Sequence, residues 1–198
     1  VYAPNFTFRD IRVRVPVSGT AVGLIVQSTG SGSISSIRSI TQSAGSGELW
    51  IGSVVANSLG VGGIEAASIN VVRAVTGDIV GPIVATGSQS VPGNISSVRA
   101  DQGNILGDVT SLGGFIDEVL APNGSIGSAS YIPNIAAKQN IKRVEARQIW
   151  AHIDALYNGG NSTDSRIWRV AATNGGFHGT ISSRRVDACG GSRGFRDL

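Results

Sequence analysis

Few residues of this chain have the chemistry that enzymes use for nucleophilic catalysis or metal binding. There are two histidines, His152 and His178, and one cysteine, Cys189, among 198 residues. A Ser-His-Asp triad would need one of those histidines, and we interpret both as ordinary surface or loop residues. A zinc site needs clustered Cys and His ligands, which the sequence lacks. We therefore predict no catalytic, cofactor-binding or metal-binding residue, and enzymatic activity is disfavoured without being excluded.

Carboxylates that converge on one face could provide general acid and base catalysis or bind calcium. Asp101, Asp108 and Asp117 occur one per predicted strand or corner, so we expect them to lie on different faces. The nearest approach to a cluster is the stretch that contains Asp154 and Asp164, close in sequence to two arginines. The sequence thus predicts no convergent pair.

Aromatic and basic side chains near the C-terminal end are the candidates for contact with a glycan or another partner, since exposed aromatic rings can stack on sugars. The five candidates are Trp150, Tyr157, Arg166, Trp168 and Arg169. Alternatively, each tryptophan covers a coil end or packs under a loop. These residues are contact candidates only, with no catalytic role predicted.

Charge is distributed unevenly along the chain. Residues 1–137 contain six Arg and eight acidic residues, whereas residues 138–198 contain ten basic and five acidic residues. Such a basic end can attract anionic partners, but we favour the simpler interpretation of a solvated surface. Nucleic-acid binding would need basic and aromatic residues interleaved in a stripe, which is absent, so we predict no nucleic-acid partner. No apolar run is long enough for a transmembrane helix.

A short motif, Ile-x-x-Val-x-Ala, recurs along the sequence. Clear copies begin at Ile51, Ile69, Ile95, Ile116, Ile141 and Ile167, with looser copies at Ile34, Ile105, Ile126 and Ile181. The Val-x-Ala part alternates with the period of a strand that has one buried face. Ile lies three positions before Val, so the backbone must bend between them for both side chains to face inward. The motif predicts short strands separated by corners.

Glycine spacing supports that interpretation. A Gly precedes an Ile by two residues at Gly93, Gly103, Gly114 and Gly124, and Gly allows the positive φ or close approach that a corner needs. Spacings of about 27 to 31 residues also separate Ile34, Ile64, Ile95, Ile126, Ile153 and Ile181. Evenly repeated short strands are typical of solenoids. We predict an all-β, single-stranded parallel β-helix of about six to seven coils of roughly 30 residues.

The Gly-Asn/Ser-Ile-x-x-Val-x-Ala pattern resembles right-handed parallel β-helix repeat proteins of the pectin-lyase-like superfamily. Within that group it is most similar to Gly-rich repeat proteins of bacterial surfaces, including autotransporter passengers, and to secreted planctomycete repeat proteins. The resemblance covers residues 31–188 and implies a right-handed coil. It indicates an architecture and leaves the activity open, because repeats of this kind encode stacking.

Two segments depart from the repeat. Residues 1–30 contain the alternating stretch FTFRDIRVRVPV, which we interpret as a strand that caps or precedes the first coil, or as a junction to an upstream domain. Residues 189–198 have no repeat and are expected to be an irregular tail. Within residues 127–166, AAKQNIKRVEARQIWAHIDALYNGG could be helical, but the retained motif favours strands.

These features favour an extracellular structural or adhesive module, part of a larger secreted or bacterial cell-surface protein or lattice. Its expected partners are further copies of itself or neighbouring surface proteins, with polysaccharide as a further candidate. The alternative is a polysaccharide-binding or polysaccharide-cleaving β-helix module. No cofactor is predicted.

Overall fold

The computed structural model describes residues 7–15, 21–27, 34, 36–43, 47–88, 91–155, 165–183 and 185–191. Within these ranges every regular element is a β-strand, and the strands pair only in parallel. The strands are β1 (Thr7–Arg14), β2 (Ala21–Val26), β3 (Ser36–Ser43), β4 (Glu48–Ala56), β5 (Ser58–Ala66), β6 (Ser68–Ala74), β7 (Ile83–Ala85), β8 (Ile95–Ala100), β9 (Val109–Ser111), β10 (Ile116–Ile126), β11 (Asn134–Ala137), β12 (Ile141–Asp154), β13 (Arg166–Ala172), β14 (Phe177–Ser182) and β15 (Arg185–Gly191).

The chain is a parallel β-solenoid, which confirms the predicted class. Each coil presents three faces in succession. Face A contains β2, β4, β6, β8, the first part of β10 and of β12, β13 and β15. Face B is narrow and is marked by bridges that join Leu59, Ile79, Ile105 and Ile126. Face C contains the end of β5, then β7, β9, β11 and the end of β12.

The Ile-x-x-Val-x-Ala copies stack in register on face A, as the motif predicts. The ladder that joins the isoleucines runs through Ile51, Ile69, Ile95, Ile116, Ile141 and Ile167. All six are buried, and so are the valines and alanines of the same copies. The register passes from Ile95 to Ser97 without pairing Ser96, and the corresponding residue is also skipped in the other copies. The backbone therefore bends after each Ile, which brings Ile and Val to the same side.

The coils are shorter than the roughly 30 residues expected from the sequence. Ladder positions 51, 69, 95, 116, 141 and 167 give coils of 18, 26, 21, 25 and 26 residues. The longer period combined residues of different faces, since Ile64 lies on face C, Ile95 on face A and Ile126 on face B. The physical reason is that only inward positions are constrained by packing, while the corners vary in length.

The segment that could have been helical is extended. Strand β12 runs from Ile141 to Asp154 without interruption and pairs with β10, β11, β13 and β14. Its buried residues are Ile141, Val144, Ala146, Ile149, Ala151 and Ile153. Spacings of two and three fit a strand that turns corners and leave no continuous helical stripe.

The ends of the described chain continue the stack. Strand β1 pairs with β3, and β2 pairs with β4, so residues 7–14 and 21–26 add coils within the segment 1–30. Phe8, Ile11 and Val13 pack against the core, while Phe6 lies outside the described residues. At the other end β15 pairs with β13 and extends to Gly191, three residues into the segment expected to be irregular.

Polar residues at the corners join each coil to the next. Asp78 accepts a hydrogen bond from the Asn104 main-chain N–H at 2.6 Å, and Asn104 Oδ1 accepts one from the Ser125 N–H at 2.8 Å. Asn94 and Asn140 accept in the same way from the residues one coil further, Phe115 and Arg166. Each acceptor directly precedes an inward Ile, so these side chains hold the corner from which the buried column continues.

Candidate functional site

The surface of face A carries two adjacent columns of outward side chains. Because each valine is buried, the residues immediately before and after it face outward. The Val-x-Ala column contains Val55, Arg73, Arg99, Leu120, Glu145 and Ala171. The pre-valine column contains Ser53, Val71, Ser97, Glu118, Arg143 and Arg169.

Asp101 is held between two arginines from successive coils. Its Oδ2 accepts a hydrogen bond from Arg73 Nε at 2.7 Å, and its Oδ1 accepts one from Arg99 Nε at 2.5 Å. Burial raises the pKa of the Asp101 carboxyl, but the hydrogen bonds and charges of Arg99 and Arg73 outweigh it and hold that pKa below its ordinary value. We call these three residues the Asp101 triad.

Glu145 repeats the arrangement two coils further along. Its Oε2 accepts from Arg143 Nη2 and its Oε1 pairs with Arg169 Nε, each at 2.5 Å. The hydrogen bond from Arg143, opposed by burial and assisted by the charges of Arg143 and Arg169, holds the pKa of the Glu145 carboxyl below its ordinary value. The same hydrogen bond raises the pKa of Arg143. These residues form the Glu145 triad.

A depression of about 110 Å³ separates the two triads, and Leu120 lies in it. Its lining consists of Arg99, Leu120, Pro122, Arg143, Glu145, Ala146 and Thr173. Leu120 belongs to an outward column, yet it is only 5% exposed. Leu120 and Pro122 thus give this depression an apolar floor between two guanidinium groups.

Within each triad the negative and positive groups lie at different depths below the surface. The side chains of Asp101 and Glu145 are 12% and 14% exposed, whereas those of Arg73, Arg99, Arg143 and Arg169 are 40–61% exposed. The carboxylates therefore lie beneath the arginines, and solvent meets guanidinium groups first. Next to the triads, Glu118 accepts a hydrogen bond from Ser97 at 2.8 Å, and Asp117 pairs with Lys142 at 2.5 Å.

The five contact candidates from the sequence do not form one group. Trp150 follows Ile149 on face B, where its ring stacks on His178 at 3.8 Å between centroids and 14° between planes. Trp168 is half-buried on face A, and Arg169 belongs to the Glu145 triad. The main-chain N–H of Arg166 donates to Asn140. Tyr157 lies outside the described residues.

The carboxylates considered as possible catalytic groups have separate surroundings. Asp101 pairs with arginines, Asp117 with Lys142, and Asp108 Oδ1 accepts from the Asn134 main-chain N–H at 2.8 Å. Asp164 lies outside the described residues. Within the described ranges no three or more His, Cys, Asp or Glu side chains are arranged to hold a metal ion. No helix in the same part of the chain has the length and apolar character to cross a membrane.

Sequence reasoning missed the two triads as groups. Arg73, Arg99, Leu120 and Glu145 all occupy the variable position of the Val-x-Ala motif. Aligning the six clear copies places them in one column, so the signal was present. Compared with protein-family models, curated proteins and solved structures, the chain matches none.

Proposed function

We propose that this chain is a rigid structural or adhesive module of a secreted or bacterial cell-surface protein. The observation that carries the proposal is the shared register of the buried columns. On face A, Ile and Val each stack on the same residue type in every pairing from β4 to β13, and Ala does so in all of these pairings except that of β8 with β10. Such a stack gains stability coil by coil and keeps a fixed direction, as a spacer or a lattice component requires.

Exposed apolar side chains support self-association as the mode of assembly. The described residues expose six large hydrophobic side chains. Four of them lie between face B and face C, in three coils: Val61, Val80, and the consecutive residues Tyr131 and Ile132. All four therefore lie on the edge of the solenoid between faces B and C, with the coil of Ile105 between Val80 and Tyr131. An apolar edge of this kind favours side-by-side contact with a second copy.

A second candidate function is polysaccharide binding, and the Trp150–His178 stack favours it. Two flat rings from adjacent coils lie nearly parallel on the outer side of face B. Since the two rings cover each other on their facing sides, a sugar would stack on the outer face of one of them. In this alternative a glycan contacts Trp150, and the apolar edge has no role in binding.

Light scattering over a wide concentration range tests the main proposal. We expect mass to increase with concentration, and we expect Val61→Asp to reduce that increase because it places a charge on the apolar edge. Asn70→Asp, at an exposed position on face A, is the matched control and should associate like the parent chain. A strict monomer at high concentration would contradict self-association.

A glycan array separates the second candidate from the first. Binding that Trp150→Ala abolishes would favour the polysaccharide interpretation, and activity on uronic-acid polymers, with and without calcium, would make the module an enzyme. If the chain bound none of the glycans on the array, this alternative would be rejected.

A further inference from the structure

We infer that the depression between the two triads binds a carboxylate side chain of an acidic polypeptide partner. The first step is the pattern of charge along the stack. Arg73 and Arg99 enclose Asp101, and Arg143 and Arg169 enclose Glu145. Between them β10 contributes Leu120 to the Val-x-Ala column, where its neighbours are Arg99 on one side and Glu145 on the other, while Glu118 of the same strand lies beside Arg143 in the pre-valine column. A guest carboxylate over Leu120 would add a third arginine–carboxylate–arginine set.

The second step is the supply of hydrogen-bond donors. An arginine has five N–H donors. In the described part of the chain Arg99 uses its Nε on Asp101, and Arg143 uses Nη2 on Glu145. Both side chains therefore retain donors that can turn toward a guest. The fork of the guanidinium group matches the two oxygens of a carboxylate.

The third step is the balance of charge. The two triads and the neighbouring Glu118 together contain four arginines and three carboxylates, which leaves one positive charge. Glu118 and Glu145 oppose a guest: Glu145, which lines the depression, is balanced by its ion pairs with Arg143 and Arg169, whereas the hydrogen bond from Ser97 leaves the charge of Glu118 in place. Since the carboxylates lie deeper than the guanidinium groups, an approaching anion meets the arginines first.

The fourth step is size. A volume of about 110 Å³ is well below the ~300 Å³ at which pockets begin to enclose drug-sized ligands. It suits one carboxylate with its adjoining methylene groups, which would rest on Leu120 and Pro122. Coils are about 4.8 Å apart, so Arg99 and Arg143, two coils apart, are about 10 Å apart and can close on one group from both sides. An Asp or Glu side chain fits this description better than a sugar ring.

The inference deepens the proposed adhesive role, because it names the chemistry of the partner. Its test is fluorescence polarisation with a short labelled peptide that alternates Glu and Ser, at low salt. We expect Arg99→Gln and Arg143→Gln each to weaken binding about tenfold, in line with the loss of one charge-assisted hydrogen-bond pair. Each variant leaves one arginine on Asp101 or Glu145, so the fold is retained, which circular dichroism verifies.

Two controls separate a site from general attraction. Arg38→Gln removes the same charge from an exposed position outside the depression and should bind like the parent chain. Leu120→Trp fills the depression without a change in charge and should abolish binding. Equal loss with Arg38→Gln, or full binding by Leu120→Trp, would overturn the proposal.

Further outcomes decide the class of partner. The same peptide with Gln in place of Glu should not bind. Sulfated dextran that binds the depression when the Glu peptide does not would assign the site to a glycan and reject the peptide. If the peptide does not bind, the increase of mass with concentration is still expected. Failure of this inference can therefore be distinguished from failure of the proposed self-association.

Discussion

Single residues at the corners decide whether one coil can lie on another. Gly103 is one of the glycines that precede an Ile by two residues. A Cβ there would collide with the carbonyl group of Gly77, one coil away, and with Asp78 Oδ1. Gly93 has a φ of 71°, a value that favours glycine. The sequence pattern thus has two physical causes, close approach at Gly103 and conformation at Gly93.

Gly103→Ala should therefore destabilise the protein by about 1–3 kcal/mol, the usual cost of forcing an extra group into a packed site. The backbone carbonyl in its way cannot rotate aside as a flexible side chain could. Chemical denaturation at neutral pH measures the change in the free energy of unfolding.

The matched control is Gly23→Ala on β2. A Cβ at Gly23 meets no atom within 4 Å, so we expect little change or a gain of about 0.5 kcal/mol from the stiffer unfolded chain. Equal destabilisation by both substitutions would show that contact with Gly77 is not the reason for glycine at position 103.

At the scale of the strands, the sequence predicted what the core constrains. The six Ile-x-x-Val-x-Ala copies were placed together because an inward Ile, Val or Ala can be recognised by its repetition. The coil length was not predictable in the same way. Three residues separate Ile79 from Ile83 across a corner, whereas eight separate Ile126 from Ile135. Corner length has little effect on the core, so no sequence periodicity reports it.

The charged triads were harder to recognise than the core, because they become visible only when the copies are aligned with one another. Arg73 and Asp101 are 28 residues apart, and they meet only because β6 and β8 are paired in one particular register. Outward positions of the motif tolerate many residue types, so the outward residue of one copy does not predict the outward residue of the next. Trp150 illustrates the same limit, since its stacking partner His178 belongs to the next coil.

The triads also make inter-strand stability depend on pH. The pKa of Asp101 is lower in the folded chain than its ordinary value, which is about 3.9 in unfolded peptides. Its contribution to stability is therefore fully present above that value and is lost as pH falls through the lower folded pKa. Glu145 has the same sign. We expect the free energy of unfolding to decline as pH falls below about 5.

Asp101→Asn tests this assignment. The variant should be less stable than the parent at pH 7, and the two should approach each other at acidic pH, because protonation removes the same charge from the parent. Glu65→Gln, at an exposed position on face C, is the control and should follow the parent profile. Parallel stability profiles for Asp101→Asn and the parent would exclude Asp101 as a source of the pH dependence.

The whole molecule behaves as a one-dimensional stack, in which each coil contacts only the coils beside it. Central strands such as β8 and β10 have partners on both sides, whereas β14 pairs with β12 alone in the described part of the chain. Ile116 is fully buried, while Ile181 on β14 is only half-buried. A defect in the centre should therefore divide the stack, and a defect near the end should shorten it.

Hydrogen exchange read by mass spectrometry checks this expectation. Ile116→Ala should cost about 2–5 kcal/mol, typical of an aliphatic deletion in a core, and should lower the protection of β8 and β12 together with β10. Ile181→Ala, which removes the same atoms near one end, should lower protection in β14 and leave β6 and β8 as in the parent. Loss of protection confined to β10 after the central substitution would mean that the coils fold independently, and a module of that kind could not transmit rigidity along its length.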